Sequence, residues 1–108
     1  MNNSEALWQK AIEFHQAGNL ESATDWYIQT IKAEPRRAEA WNNLGVIYRD
    51  GGNLVAALAC FRRAVKLAPD FATFQMNMGD MFLRMARPDD AKIYLKEDHL
   101  RAAFEFFD

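Results

Sequence analysis

The sequence predicts an all-α protein, a solenoid of antiparallel helix pairs, and three observations carry that expectation. Between Ala38 and Phe71, Leu44 and Tyr48 stand four residues apart, as do Ala57 and Phe61, so each of two segments presents one apolar helical face. Gly51-Gly52-Asn53 parts the two segments and Pro69 closes the second, residue types that interrupt helices. A step of 34 residues then repeats the plan, backward at Ala11, Phe14, Ala23, Tyr27 and Pro35, and forward at Gly79, Phe82, Ala91 and Leu95. Three copies, 4–37, 38–71 and 72–105, fill almost the whole chain of 108 residues, which reads as a single domain spanning 1–108.

Gly45 and Ala57 are the small residues that let paired helices approach, with Tyr48 and Phe61 filling the space beside them. Trp41, Leu44, Gly45 and Tyr48, followed by Ala57, Phe61, Ala64 and Pro69, resemble the tetratricopeptide repeat, whose W-x2-L-G-x2-Y, A-x3-F and terminal P positions they occupy. The resemblance implies a right-handed α-solenoid of six helices in three repeats. The copies depart from the pattern at Lys10 in place of Leu44, Gln75 in place of Trp41, Asp98 in place of Ala64 and Ala103 in place of Pro69. The last two make the third copy irregular after Leu95.

Element by element, the first helix is expected from Ser4 to about Gln16, capped by Asn3 or Ser4 with Glu5 in its first turn. Ala17-Gly18-Asn19 turns the chain, and Asn19 caps a second helix from Leu20 to about Ala33, ended by Pro35. Helices near 38–50 and 54–67 follow, with Gly52 and Asn53 as turn and cap. Asp70 is the expected cap of the fifth helix. Beyond Arg87, Pro88 suits a first helical turn, with Asp89 and Asp90 near its positive end. There either one long helix changes its buried face near Asp98, the favoured reading, or Asp98 caps a separate short helix. Each pair leaves one face uncovered, so the pairs must stack. Trp41 is the natural contact between them, and Trp41→Ala is expected to cost about 3–5 kcal/mol.

Composition narrows the function classes. With 50% hydrophobic residues the chain can bury a core. A net charge of −2 and a pI near 5.7 give no general attraction to nucleic acid or to an anionic membrane. The lone Cys60 cannot close an internal disulfide, the start MNNSEALWQK lacks a basic-then-apolar leader, and no apolar run nears the ~18 residues of a membrane span. The reading is a cytoplasmic protein. No metal-ligand, phosphate-loop or nucleophile spacing occurs, so neither catalytic residues nor cofactors are expected. Gly51-Gly52 reads as a turn and Cys60 as a small packing residue.

In the family resembled, the first helices of successive repeats line a concave groove that takes extended peptides or partner helices. Carried over position by position, that groove comprises Glu5, Trp8, Gln9, Ile12, His15 and Gln16, then Glu39, Asn42, Asn43, Val46, Arg49 and Asp50, then Thr73, Met76, Asn77, Asp80, Leu83 and Arg84. Gln9, Asn43 and Asn77 are related by the 34-residue step, and a carboxamide can pair with the N–H and C=O of any peptide group. Packed helices lie ~8–10 Å apart and an extended strand advances ~3.3 Å per residue, so one amide per repeat would meet roughly every third ligand residue. This looks like the asparagine ladder in the repeat domain of O-linked N-acetylglucosamine transferases. The two-carboxylate clamp for acidic chaperone tails is a poor match, because its positions here hold Trp8, Ile12, Asn43, Thr73 and Asn77, of which only Asn43 fits.

The expected function is a non-catalytic protein-protein interaction module whose partner is neutral to mildly basic with hydrophobic anchors. Two alternatives stand beside it. One is self-association through the apolar stripe Leu100, Phe104, Phe106 and Phe107. The other is a substrate-recruiting domain at the start of a larger transferase.

Overall fold

Asn19 and Asn53 show why helices start where they do. Each precedes a helix and accepts a hydrogen bond from the amide three residues on, Ser22 at 3.3 Å and Ala56 at 3.2 Å. Before them stand Gly18 and Gly52, at φ of +78° and +86°, left-handed backbone that disfavours any residue with a Cβ. Turn and cap therefore recur together at the repeat interval. The computed structural model describes residues 3–85, which form five helices: α1 (Asn3–Gln16), α2 (Leu20–Ala33), α3 (Ala38–Asp50), α4 (Leu54–Leu67) and α5 (Ala72–Arg84). No strand occurs among the described residues. The chain is all-α, as its periodicity predicts.

Proline sets two of the helix ends. Glu34 precedes Pro35 and Ala68 precedes Pro69; both are pushed out of the helical region, with φ of −141°, and end α2 and α4. Two expected caps are corrected. Ser4 lies inside α1 and is buried, its Oγ donating to Glu34 Oε2 at 2.9 Å, so it ties α1 to the turn after α2. Phe71 takes the cap position of α5 with no side-chain cap bond, leaving Asp70 one residue too early to reach the free amides.

α1 packs on α2 and α3 on α4; α2 then meets α3, and α4 meets α5. This is the nearest-neighbour architecture of an α-solenoid. Gly45 permits the α3–α4 approach: a Cβ there would stand 2.7 Å from Phe61 Cε1 and 3.2 Å from Cys60 Cβ. Phe61 is fully buried, a burial that contributes about 1.5–3 kcal/mol. Trp41 joins the repeats as expected. Its ring packs against one cluster that includes Tyr27, Leu44 and Ile47 and against another of Ala38, Ala64 and Phe74.

The fourth position of the repeat keeps a hydrogen bond where the sequence changes type. Trp41 Nε1 donates to the Pro35 carbonyl at 2.8 Å, and Gln75 Nε2 donates to the Pro69 carbonyl, 34 residues later. Gln75 therefore preserves the donor of Trp41 without its ring. The readings placed on 88–107, including the long helix and the stripe Leu100, Phe104, Phe106 and Phe107, lie outside the described residues.

Candidate functional site

α1, α3 and α5 carry the residues that the sequence assigns to a groove, and a chain of hydrogen bonds runs across them. Arg49 Nη1 donates to Asn77 Oδ1 at 3.4 Å, and Asn77 Nδ2 donates to Asn42 Oδ1 at 2.6 Å. Asn42 Nδ2 donates to Asn43 Oδ1 at 3.4 Å, and Asn43 Nδ2 donates to the Tyr27 hydroxyl at 3.3 Å. The Tyr27 oxygen lies 2.7 Å from His15 Nδ1, and it donates there in the tautomer that leaves Nδ1 bare. Every link then points the same way, from the Arg49 cation to the imidazole, so each bond polarises the next.

Charges close one end of the chain. Asp80 Oδ2 accepts from Arg49 Nη1 at 3.2 Å and from Arg84 Nε at 2.7 Å, while Arg49 Nε reaches Asp50 Oδ1 at 3.3 Å. Arg49 thus links the second repeat to the third. At the other end, burial raises the Tyr27 phenol above its ordinary value, against the opposing effect of the Asn43 hydrogen bond, so the hydroxyl keeps its proton at neutral pH.

Asn42 departs from its expected place. It is only 7% exposed, and its amide binds Asn43 and Asn77, so it belongs to the wall of the face rather than to its open surface. The reason is the next repeat, because α5 brings Asn77 directly onto it. Trp8, one repeat earlier, is half-buried in the same manner: the Arg37 guanidinium lies 5.3 Å from its ring centre and Tyr27 packs at 5.8 Å. Met76, one repeat later, is 42% exposed. Ile12, Val46 and Leu83 are half-buried, packed against the core clusters.

The amides related by the repeat do not behave alike. Asn43 and Asn77 are fixed by the hydrogen-bond chain, whereas exposed Gln9 lies 3.5 Å from Glu5 Oε1 and takes no part in it. Each fixed amide uses one N–H and one acceptor site internally, which leaves one donor and one acceptor site apiece. The residue missed in the sequence is Tyr27, which comes from α2 and still joins this network. Its signal was a hydroxyl at a position where the other copies carry Phe61 and Leu95.

Two tetratricopeptide repeat sequence models match the chain, over residues 38–71 and 56–98, which together span more than half of it. Protein O-mannosyl-transferase TMTC1 of Mus musculus is 31% identical over 78 residues, 72% of this chain and 8% of the relative. The chain thus spans less than a tenth of the length of that relative. Among solved structures, MamA superposes with a TM-score of 0.80 at 20% identity, covering 94% of this chain and 57% of that one. The first such domain of Spaghetti (RPAP3), bound to the HSP90 peptide SRMEEVD, superposes with a TM-score of 0.78 at 19% identity, covering 84% of this chain and 72% of that one. No helix among the described residues is long and apolar enough to cross a membrane, and no group of three or more His, Cys, Asp or Glu side chains among them could hold a metal ion.

Proposed function

This chain belongs to the tetratricopeptide repeat family, and from that premise we propose that it is a non-catalytic protein-interaction module whose α1–α3–α5 face receives an extended peptide. The observation that carries the reading is the fixed pair Asn43 and Asn77. Each is held by internal hydrogen bonds and keeps one donor and one acceptor site, the complement of one peptide group. An amide that is already oriented loses little freedom on binding.

The surroundings of the pair narrow the ligand. Asp50 and Asp80 supply carboxylates balanced by Arg49 and Arg84, and Met76 supplies exposed apolar surface. Such a face suits a neutral to mildly basic segment with hydrophobic anchors. The RPAP3 domain holds SRMEEVD, an acidic peptide, whereas the chaperone-clamp positions of this chain hold Trp8, Ile12, Thr73 and Asn77 beside Asn43. A different peptide class follows for this groove.

Selection from a random octapeptide library on the immobilised protein tests the reading. Enriched peptides are expected to bind the Asn43→Ala/Asn77→Ala double variant at least about tenfold more weakly, a loss of ~1.4 kcal/mol. Undiminished affinity in that variant removes the amides from the account.

A second reading is favoured by the match to TMTC1, a protein named as an O-mannosyl-transferase. In it the same face recruits substrate as the leading domain of a larger transferase. The parent reading frame decides this: a frame that encodes no transferase domain before or after these residues disposes of it.

A further inference from the structure

The outer side of α4 differs in charge from every other described helix. α4 holds Arg62, Arg63 and Lys66 and no acidic residue, whereas α1, α2, α3 and α5 each carry at least one carboxylate. Ala57, Phe61 and Ala64 face inward and are fully buried. Val55, Ala59, Arg62 and Lys66, spaced at i, i+4, i+7 and i+11, form the opposite stripe. All four are exposed, Val55 at 78%.

These cations are free to meet a ligand. Arg37, Arg49 and Arg84 are each bonded to carboxylates, but no ion pair involves Arg62, Arg63 or Lys66 among the described residues. Arg63 is nevertheless positioned, its guanidinium 5.5 Å from the Trp41 ring centre, and that ring is held by its own bond to Pro35. Stacking leaves the guanidinium N–H groups available at its edges. Ala59, Arg62, Arg63 and Lys66 line an open depression in this surface.

We propose that the outer face of α4 is a second interaction surface, which binds an acidic segment of a partner protein. From Val55 to Lys66 the stripe runs ~16 Å at 1.5 Å per residue, enough for about three turns of helix or five extended residues. Carboxylates of the partner meet Arg62, Arg63 and Lys66, and an apolar side chain meets Val55. The chemistry favours a short acidic segment over nucleic acid or a membrane, since three cations on a chain of net charge −2 release few counterions and give weak attraction to an extended polyanion. On the α1–α3–α5 face Arg49 and Arg84 are already bonded to Asp50 and Asp80, so that face offers the same ligand little.

The test is fluorescence anisotropy with a fluorescein-labelled dodecapeptide of repeated Leu-Glu-Glu, at low and physiological salt. Saturable binding is expected, weakened more than about tenfold by R62E/K66E and reduced by salt. Both substituted residues are exposed, so the far-UV spectrum and urea midpoint should stay near wild type; R62A/K66A supplies a milder variant. Asn43→Ala/Asn77→Ala should leave this binding intact, which keeps the result separate from that of the peptide groove. The proposal is overturned by absence of saturable binding, by equal affinity in R62E/K66E, or by binding that the Asn43→Ala/Asn77→Ala variant abolishes. Light scattering that shows self-association removed by R62E/K66E would assign the face to a second copy and overturn it as well.

Discussion

Asn77 Nδ2 stands 2.6 Å from Asn42 Oδ1, and this amide–amide bond joins the polar network of the third repeat to that of the second. Upstream of it lie the Arg49 and Asp80 charges; downstream lie Asn43, Tyr27 and His15. Because Asn42 is buried, cutting the bond strands a polar group away from water. Asn77→Ala, which leaves buried Asn42 Oδ1 without its donor, is expected to cost about 1–3 kcal/mol. A double-mutant cycle of Asn42→Ala and Asn77→Ala, read from urea midpoints, should return a coupling of at least ~0.5 kcal/mol. Simple additivity would mean that the bond contributes nothing.

Gly45→Ala sets helix propensity against packing. Alanine gains up to ~1 kcal/mol in a helix interior over glycine. The added methyl would lie 2.7 Å from the buried ring of Phe61, and overpacking of that kind costs about 1–3 kcal/mol. Since the ring is fully buried, making room for the methyl must press it into its neighbours, and packing should win, with net destabilisation of up to about 2 kcal/mol. A raised melting temperature would show that α3 and α4 can part without loss.

Trp41 combines ring packing with a hydrogen bond, and two variants separate them. Trp41→Ala should cost about 3–5 kcal/mol, because the ring contacts two clusters. Trp41→Phe keeps most of the ring and loses the Nε1 bond to Pro35, for a smaller cost of about 1 kcal/mol. Chemical denaturation of both ranks them, and equal midpoints would reject the division.

Ser4 and Glu34 contribute to the acid limb of stability. The Ser4 hydroxyl, and after it Arg37, holds the Glu34 carboxyl below its ordinary value of 4.5. A depressed carboxylate contributes stability that is present above the unfolded value and is lost as pH falls through the folded one. Ser4→Ala removes the larger cause, so its acid-unfolding midpoint should move to higher pH. Tryptophan fluorescence followed between about pH 2 and 6 reads the shift, and superimposable acid limbs would contradict the linkage.

Cys60 should be chemically silent in the folded protein. Burial pushes its thiol up to about 11, so little thiolate exists at neutral pH, and the reacting species is the thiolate. A disulfide reagent near pH 8 is expected to label native protein far more slowly than protein in concentrated urea. Equal rates would place the sulfur at the surface.

The sequence by itself determined the helices, their pairing and their interval. Those depend on short-range chemistry: asparagine caps, glycine at positive φ, proline stops, and a small residue opposite an aromatic one at Gly45 and Phe61. It also placed Asn43, Arg49, Asn77 and Asp80 on helices that share a face. Only the tertiary structure decided which of these side chains are open to a ligand. The 34-residue step makes Trp8, Asn42 and Met76 equivalent, yet the first is half-buried beneath Arg37, the second is buried beneath Asn77 and the third is largely exposed. Burial at Trp8 and Asn42 depends on what a later part of the chain lays across them, Arg37 from 29 residues on and Asn77 from 35. For the same reason the Tyr27 hydroxyl, from the second helix of the first repeat, became a partner of the amides only once α2 and α3 had packed.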